Sequence, residues 1–286
     1  MKHWLLYFLA IVIAVMGVPL LAENSVAGEE PPKLSVFSNG EVKEMTVEEY
    51  TLRILIAQES ACESIEAKKA LAVAARSCGM YFSLYGCKHQ EYEVCDDGNC
   101  CMYLGDPEDV DEEALSTLIS ICEETKGQIL TLNALPCLAL FTRCASKGTM
   151  QCDSLPYLSP VSEAERCMIH KTETEKEIDS ELAQILDNTT EHPPYLVFDE
   201  SEKCELAILG GNIKSGIEIA GMLNLPTVEF TLSIEENKLK AVCYGIGHGY
   251  GLNICGAEKL AQGGMNYENI LEIYYPKLKM NKIYYN

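Results

Sequence analysis

Glu59-Ser-Ala-Cys-Glu-Ser-Ile-Glu-Ala-Lys-Lys-Ala-Leu-Ala-Val-Ala-Ala-Arg76 opens on a short break and runs on as an alanine-rich segment. Between Glu66 and Tyr85, residues Ala67, Ala70, Leu71, Ala74, Ala75, Cys78 and Phe82 fall on one helical face. A long helix packed on a core is predicted there, with Ser60 to Ser64 as the break before it. Upstream, Thr46-Val-Glu-Glu49 has the form of a capping box and predicts a helix running towards Glu59. Further upstream, Leu34 to Val47 alternates about Ser38-Asn39-Gly40, which predicts a hairpin. Glu59 is thus expected at the junction of two helices.

Downstream, Glu112 to Lys126 reads as a third helix stopped by Gly127, and Gln128 to Cys144 as β-rich with a turn near Asn133. Thr172 to Glu181 is an acidic insert expected to be a solvated helix or loop, and Asp187 to Pro194 another loop. Ser215 to Leu225 reads as a helix. Thr227 to Ile234 and Lys238 to Tyr244 form a hairpin pattern across Glu235-Glu236-Asn237. Helices follow from Cys255 to Gln262 and from Tyr267 to Tyr274, the second capped by Asn266. Strands and helices mix without a βαβ rhythm. The expected class is α+β, helices and antiparallel strands around one groove, preceded by an N-terminal transmembrane helix.

That last element rests on Trp4 to Ala22, 19 residues without a charge. At helical rise they span roughly 29 Å, close to one hydrocarbon thickness. Lys2 and His3 precede them, so the remainder is expected outside the cytoplasm. A cleaved signal peptide is the alternative. The expected organisation is an anchor or signal at 1–22, a linker at 23–33 and one domain at 34–286. The expected location is the cell membrane, single-pass, with the domain extracytoplasmic.

Among 286 residues, 43 acids against 22 Lys and Arg give a formal charge of −21. This excess argues against nucleic acid as a partner, because phosphates would meet no broad basic face. An anionic substrate is still compatible, held by a local cluster of cations.

Of the 14 cysteines, Cys95, Cys100 and Cys101 lie close together after Cys87 and His89. Three thiolates and an imidazole from His89, Cys95, Cys100 and Cys101 suit tetrahedral structural zinc. Two local disulfides are the other reading, since export permits them. Two further features carry possible chemistry. Glu59 is a carboxylate at a helix end beside apolar Ile54, Leu55, Ile56 and Ala57, the kind of setting that makes a general acid. Gly245-Ile-Gly-His-Gly-Tyr-Gly251 places His248 among alternating glycines that allow close backbone approach.

The Glu59–Arg76 stretch resembles the E-M-x(n)-E-A-L-K-A-Q-A-V-A-A-R signature of the stage II sporulation protein D (SpoIID/LytB) family. Gly247-His-Gly-Tyr-Gly-Leu-Asn-Ile-Cys-Gly-Ala257 resembles its G-H-G-V-G-M-S-Q-x-G-A, and Asn266-Tyr-Glu-Asn-Ile-Leu-Glu-Ile-Tyr-Tyr-Pro276 its S-Y-E-E-I-L-x-x-Y-Y-P. Thr125-Lys-Gly127 and Tyr157-Leu158 fall where members carry T-x-G and Y-L. The resemblance implies an anchored murein lytic transglycosylase that cleaves MurNAc-GlcNAc bonds of stripped peptidoglycan strands during engulfment, with Glu59 as catalytic acid/base. It implies substrate contacts from Arg76, which could bind a lactyl carboxylate or orient Glu59, and from His248 and Ser146. It also implies one zinc, with His89, Cys95 and Cys101 at the family's ligand positions and Cys100 where a second His stands. A cell-wall amidase and other engulfment proteins are the implied partners beside the glycan. Ser60-Ala61 replaces Met-Pro, Asn253-Ile254 replaces Ser-Gln, and Ser146-Lys-Gly-Thr149 replaces an S-G-G-x-T-like segment. These departures keep a second class in view, a non-catalytic glycan-binding enhancer of an amidase.

Overall fold

The structure is a computed structural model that describes residues 31–86, 89–96, 102–162, 170–177, 195–198, 203–209, 212–236 and 238–283. The apolar stretch Trp4–Ala22 and the loop 187–194 lie outside them. No helix among the described residues is long and apolar enough to cross a membrane.

The first hairpin forms as its sequence dictates. Strands β1 (Lys33–Ser38) and β2 (Glu41–Thr46) pair antiparallel from Lys33↔Thr46 to Ser38↔Glu41. Asn39 and Gly40 take φ of 53° and 83°, the left-handed conformation that a two-residue primed turn demands. Thr46 then caps α1 (Val47–Ala57), accepting from the Glu49 amide at 3.1 Å. After a 3₁₀ turn at Glu59–Ala61, α2 runs from Ile65 to Tyr85. The sequence pattern gave α2 one apolar face, yet Ala72, Val73, Arg76, Ser77 and Met80 are buried as well. It is the axis of the main core and not a surface helix. Small residues make this possible, because alanines let neighbouring elements approach on every side.

Around α2 stand β3 (Val94–Cys95), which joins β1 in parallel, and α3 (Glu112–Glu124), capped by Asp111. Then come β4 (Gln128–Leu132) and β5 (Leu135–Pro136), turning at Asn133-Ala134, and the short β6 (Phe141–Thr142). The acidic insert is a correction: Lys171–Glu177 is a strand, β7, not a solvated helix or loop. Its alternating Thr and Glu suit an exposed edge. Glu173 and Glu175 reach Lys240 and Lys238, each at 4.0 Å, on the strand it pairs with. A three-stranded sheet that the sequence pattern did not announce follows, with β8 (Tyr195–Phe198), β9 (Cys204–Leu209) and β10 (Asn212–Ser215).

Helix α4 (Gly216–Leu223) starts from a Ser215/Glu218 capping box. Strands β11 (Phe230–Glu235) and β12 (Lys238–Tyr244) form the expected hairpin, with β12 at the centre of a sheet ordered β11-β12-β7. The chain returns to the main core through β13 (Leu252–Asn253), parallel to β6, then α5 (Ile254–Gln262), α6 (Tyr267–Tyr274) and β14 (Lys279–Lys282). Asn266 caps α6, accepting from the Asn269 amide at 3.0 Å. The architecture is α+β, with six helices among the described residues. A smaller second core, including Ala207, Ile219, Phe230, Leu239 and Cys243, lies among α4, β9 and the β11-β12-β7 sheet.

Candidate active site

Glu59 opens the 3₁₀ turn between α1 and α2, as the sequence pattern places it. Its side chain keeps about a third of its surface, 34%, while Lys68 beside it keeps 10%. Lys68 Nζ donates to Glu59 Oε1 at 3.3 Å from the first turn of α2. Oε2 has no protein partner among the described residues. The turn around it is fixed at both ends. Arg143 Nη2 donates to Ser60 Oγ at 2.8 Å. On the far side, Glu258 of α5 accepts the amides of Glu63 at 3.1 Å and Ser64 at 2.9 Å, and the Ser64 hydroxyl at 2.8 Å. A carboxylate at the start of α2 also complements the positive end of that helix. Both Glu258 oxygens are engaged, Oε1 taking a further bond from Gln262 at 2.8 Å. Cys62, in the same turn, is no nucleophile: burial pushes its thiol up to about 12.

Lys68, Arg143 and Glu258 were not among the residues expected from sequence. Lys68 had a signal, since it lies one helical turn inside the helix that Glu59 precedes. Arg143 and Glu258 had none, because their segments are far from Glu59 in sequence. Arg143 Nε and Gln58 Oε1, both flanking the Glu59 turn, are buried polar atoms without a hydrogen-bond partner.

Arg76 stands elsewhere. It lies eleven residues into α2, about 16 Å along the axis from its start, and none of its side chain is exposed. Its Nε and Nη2 hold both Glu48 oxygens at 2.8–3.0 Å, and Nη1 donates to the Thr125 carbonyl at 2.9 Å. The guanidinium ties α1 to the end of α3 in the core, so it neither orients Glu59 nor faces a substrate. Ser146 is likewise fully buried. Its amide donates to Glu229 at 2.7 Å and its hydroxyl donates to the same carboxylate, with Lys203 Nζ 3.9 Å from it. Buried carboxylates need such partners, and Ser146 supplies them here instead of facing a sugar.

The glycine run is built for close backbone approach, and its neighbour is the backbone of segment 140–146. A Cβ on Gly245 would strike the Cys144 carbonyl, and one on Gly251 the Leu140 carbonyl. Both residues have left-handed φ, 90° and 70°. The run packs on segment 140–146, where Ile246 and Cys144 exchange backbone hydrogen bonds at 2.8 and 3.0 Å. Through that segment, and its Arg143, the run is joined to the Glu59 turn. His248 Nδ1 accepts from the Tyr250 amide at 3.1 Å, and the ring also engages the Phe141 carbonyl. Burial pushes the imidazole down to about 4, the Phe141 bond opposing, so the ring is neutral near pH 7. Asn253, where the resemblance has Ser, is turned inward and exchanges two hydrogen bonds with Ala145, at 2.9 and 3.0 Å.

Of the expected zinc ligands, Cys95 is buried at the end of β3, and the His89 ring packs 4.4 Å from that of Tyr92. Cys87, Cys100 and Cys101 lie outside the described residues. Cys95 and His89 are compatible in chemistry with a thiolate-rich tetrahedral site.

This is an α+β chain with a partly exposed carboxylate, Glu59, held by a lysine at a helix junction, and its likeness to known proteins agrees with its motifs. The family model described as SpoIID, stage II sporulation protein, matches residues 38–132, from the first hairpin through Glu59 to β4. Stage II sporulation protein D of Bacillus subtilis (strain 168) is 23% identical over 257 residues, covering 83% of this chain and 75% of that protein. The resemblance to the SpoIID family is thereby borne out.

Proposed function

We propose that the chain is a murein lytic transglycosylase acting on glycan strands stripped of stem peptides. The observation that supports this reading most is the arrangement of carboxylates about the junction. Glu59 has one oxygen held by Lys68 and one without a protein partner. Glu258, the other carboxylate brought to the turn, has both oxygens engaged, and Glu63 is exposed to solvent. A hydrolase of the two-carboxylate kind needs a second working group. An intramolecular reaction needs one. Glu59 as the acid protonates the glycosidic oxygen. As the carboxylate it then takes the proton of the MurNAc C6 hydroxyl, which attacks C1 and closes a 1,6-anhydro ring. Arg143, anchored on Ser60, takes over the part first given to Arg76, offering a cation to the lactyl carboxylate.

On this reading the Trp4–Ala22 segment holds the chain in the cell membrane with the domain outside. A structural zinc on His89, Cys95, Cys100 and Cys101 braces the loop after α2. A cell-wall amidase supplies the stripped substrate. The inward turn of Asn253 favours the second reading, a glycan-binding enhancer of an amidase, because it removes one polar group from the surface. Mass spectrometry of the products from stripped and intact strands separates the two. 1,6-Anhydro-MurNAc ends released from stripped glycan, absent with Glu59→Gln, support the enzyme; binding without any new ends supports the enhancer.

A further inference from the structure

We propose a zinc site, separate from the His89–Cys101 cluster, made by Cys144, His170 and Cys255. One ligand atom from each lies within 4.8 Å of the other two. A tetrahedral zinc with Zn–S of about 2.3 Å sets two sulfurs about 3.8 Å apart. The three side chains therefore need to close by no more than about 1 Å to take the metal, a movement within side-chain torsions. Two thiolates and an imidazole select zinc over calcium or magnesium, which take oxygen.

The backbone holds all three in place. Cys144 sits in the segment that exchanges hydrogen bonds with Ile246. His170 directly precedes β7, and its carbonyl accepts from the Gly245 amide at 3.2 Å. Cys255 lies in the first turn of α5, its amide donating to the Arg143 carbonyl at 3.2 Å. The helix start favours negative charge, as a thiolate ligand requires. Cys144 is buried, whereas His170 and Cys255 keep part of their surface, so a metal can enter and a water can complete the fourth position.

The placement gives the site a role. β7 belongs to the sheet over the second core, and α5 to the main core. A metal on these three residues would fasten the two cores together at the root of the glycine run. Cys62, in the Glu59 turn, lies within electrostatic reach of both Cys255 and Glu59, so the fastening is adjacent to the candidate catalytic turn. It stands independently of what Glu59 does.

The test uses the full chain, solubilised and purified without chelator. Zinc is measured by plasma emission in wild type, Cys255→Ser, His170→Ala and, as reference, Cys95→Ser. The two partly exposed ligands are chosen so that the variants fold, which circular dichroism checks. The expected result is loss of about one zinc per chain in Cys255→Ser and in His170→Ala, additive with any loss in Cys95→Ser. Cobalt(II)-substituted wild type should show thiolate-to-metal charge-transfer absorption that falls in Cys255→Ser. A measurement on wild type alone guards against misfolded variants: alkylation of Cys255 should be slow as isolated and accelerate when chelator removes metal. Unchanged zinc in folded variants, chelator-independent alkylation, or a Cys144–Cys255 disulfide in the peptide map would each overturn the site.

Discussion

Glu258 caps a helix nearly two hundred residues before it in the chain: its carboxylate accepts the Ser64 amide at 2.9 Å and the Ser64 hydroxyl at 2.8 Å. The Ser64 side chain makes no cap bond to α2 itself, so the end of the Glu59 turn depends on a residue from α5. Replacing Glu258 by Ala should cost about 1–3 kcal/mol, the range of a lost cap or a charged hydrogen bond. Glu258→Gln, which keeps an acceptor, should cost less. Urea unfolding of both variants checks the order; equal stability of Ala and wild type would remove the cap from the account. If Glu258 positions the turn, turnover should fall in Ala and recover in part in Gln, with KM little changed.

For Glu59 the expectation is chemical and not structural. Glu59→Gln should abolish anhydro-product release, while its unfolding midpoint stays close to wild type because the side chain is partly solvated. Lys68→Met should leave the fold intact and weaken turnover by releasing Oε1. Product release by a folded Gln variant at the wild-type rate would sink the catalytic assignment.

Arg76 should behave as a core residue. Removing one member of a buried pair leaves a charge uncompensated, at a cost of about 3–5 kcal/mol. Arg76→Met is therefore expected to destabilise strongly. The double variant Arg76→Met with Glu48→Leu should recover much of that loss. Whatever activity survives in folded Arg76→Met should keep its KM for stripped glycan. A raised KM at unaltered stability would return Arg76 to the substrate.

His248 makes stability depend on pH in a stated direction. Its imidazole titrates near 6.5 in the unfolded chain and is held down to about 4 by burial in the fold. The stability it contributes is present in full above about pH 6.5 and is lost as pH falls towards about 4. The contribution is at most about 3 kcal/mol, at about 1.4 kcal/mol for each tenfold step, because the ring is only partly buried. Urea unfolding between those pH values should show a steeper decline in wild type than in His248→Gln. Carboxylates titrate in both chains, so the difference isolates the histidine; parallel curves would contradict the burial.

Local signals carried over well into structure. Asn39-Gly40, Thr46 and Asn266 each act within a few residues, and each formed the turn or cap that its chemistry implies. Helix α2, which begins within the Glu59–Arg76 stretch, was legible for the same reason. What failed needed a partner from far along the chain. β7 is a strand because β12 pairs with it, and its own acidic composition hides this. Arg76 looked like a groove cation until Glu48 and the end of α3 closed over it. Ser146 matched a motif position, but the buried Glu229 claims it. Cys144, His170 and Cys255 carry no common spacing, and only the packing of β6, β7 and α5 makes them neighbours.

The pairing of β14 with β4 has a consequence for how the molecule comes into being. Lys282 lies opposite Gln128, and the Ile283 amide closes on the Gly127 carbonyl at 2.8 Å. β4 is the middle strand of its sheet, so until β14 emerges from synthesis one of its edges stays bare. Bare edges invite pairing with other chains, and contacts this distant form slowly. The nascent molecule thus keeps the sheet beside α2 unfinished until residues 279–282 have been made. A chain stopped short of Lys279 is therefore expected to fall to proteases or aggregates, even though the Glu59 turn was synthesised long before.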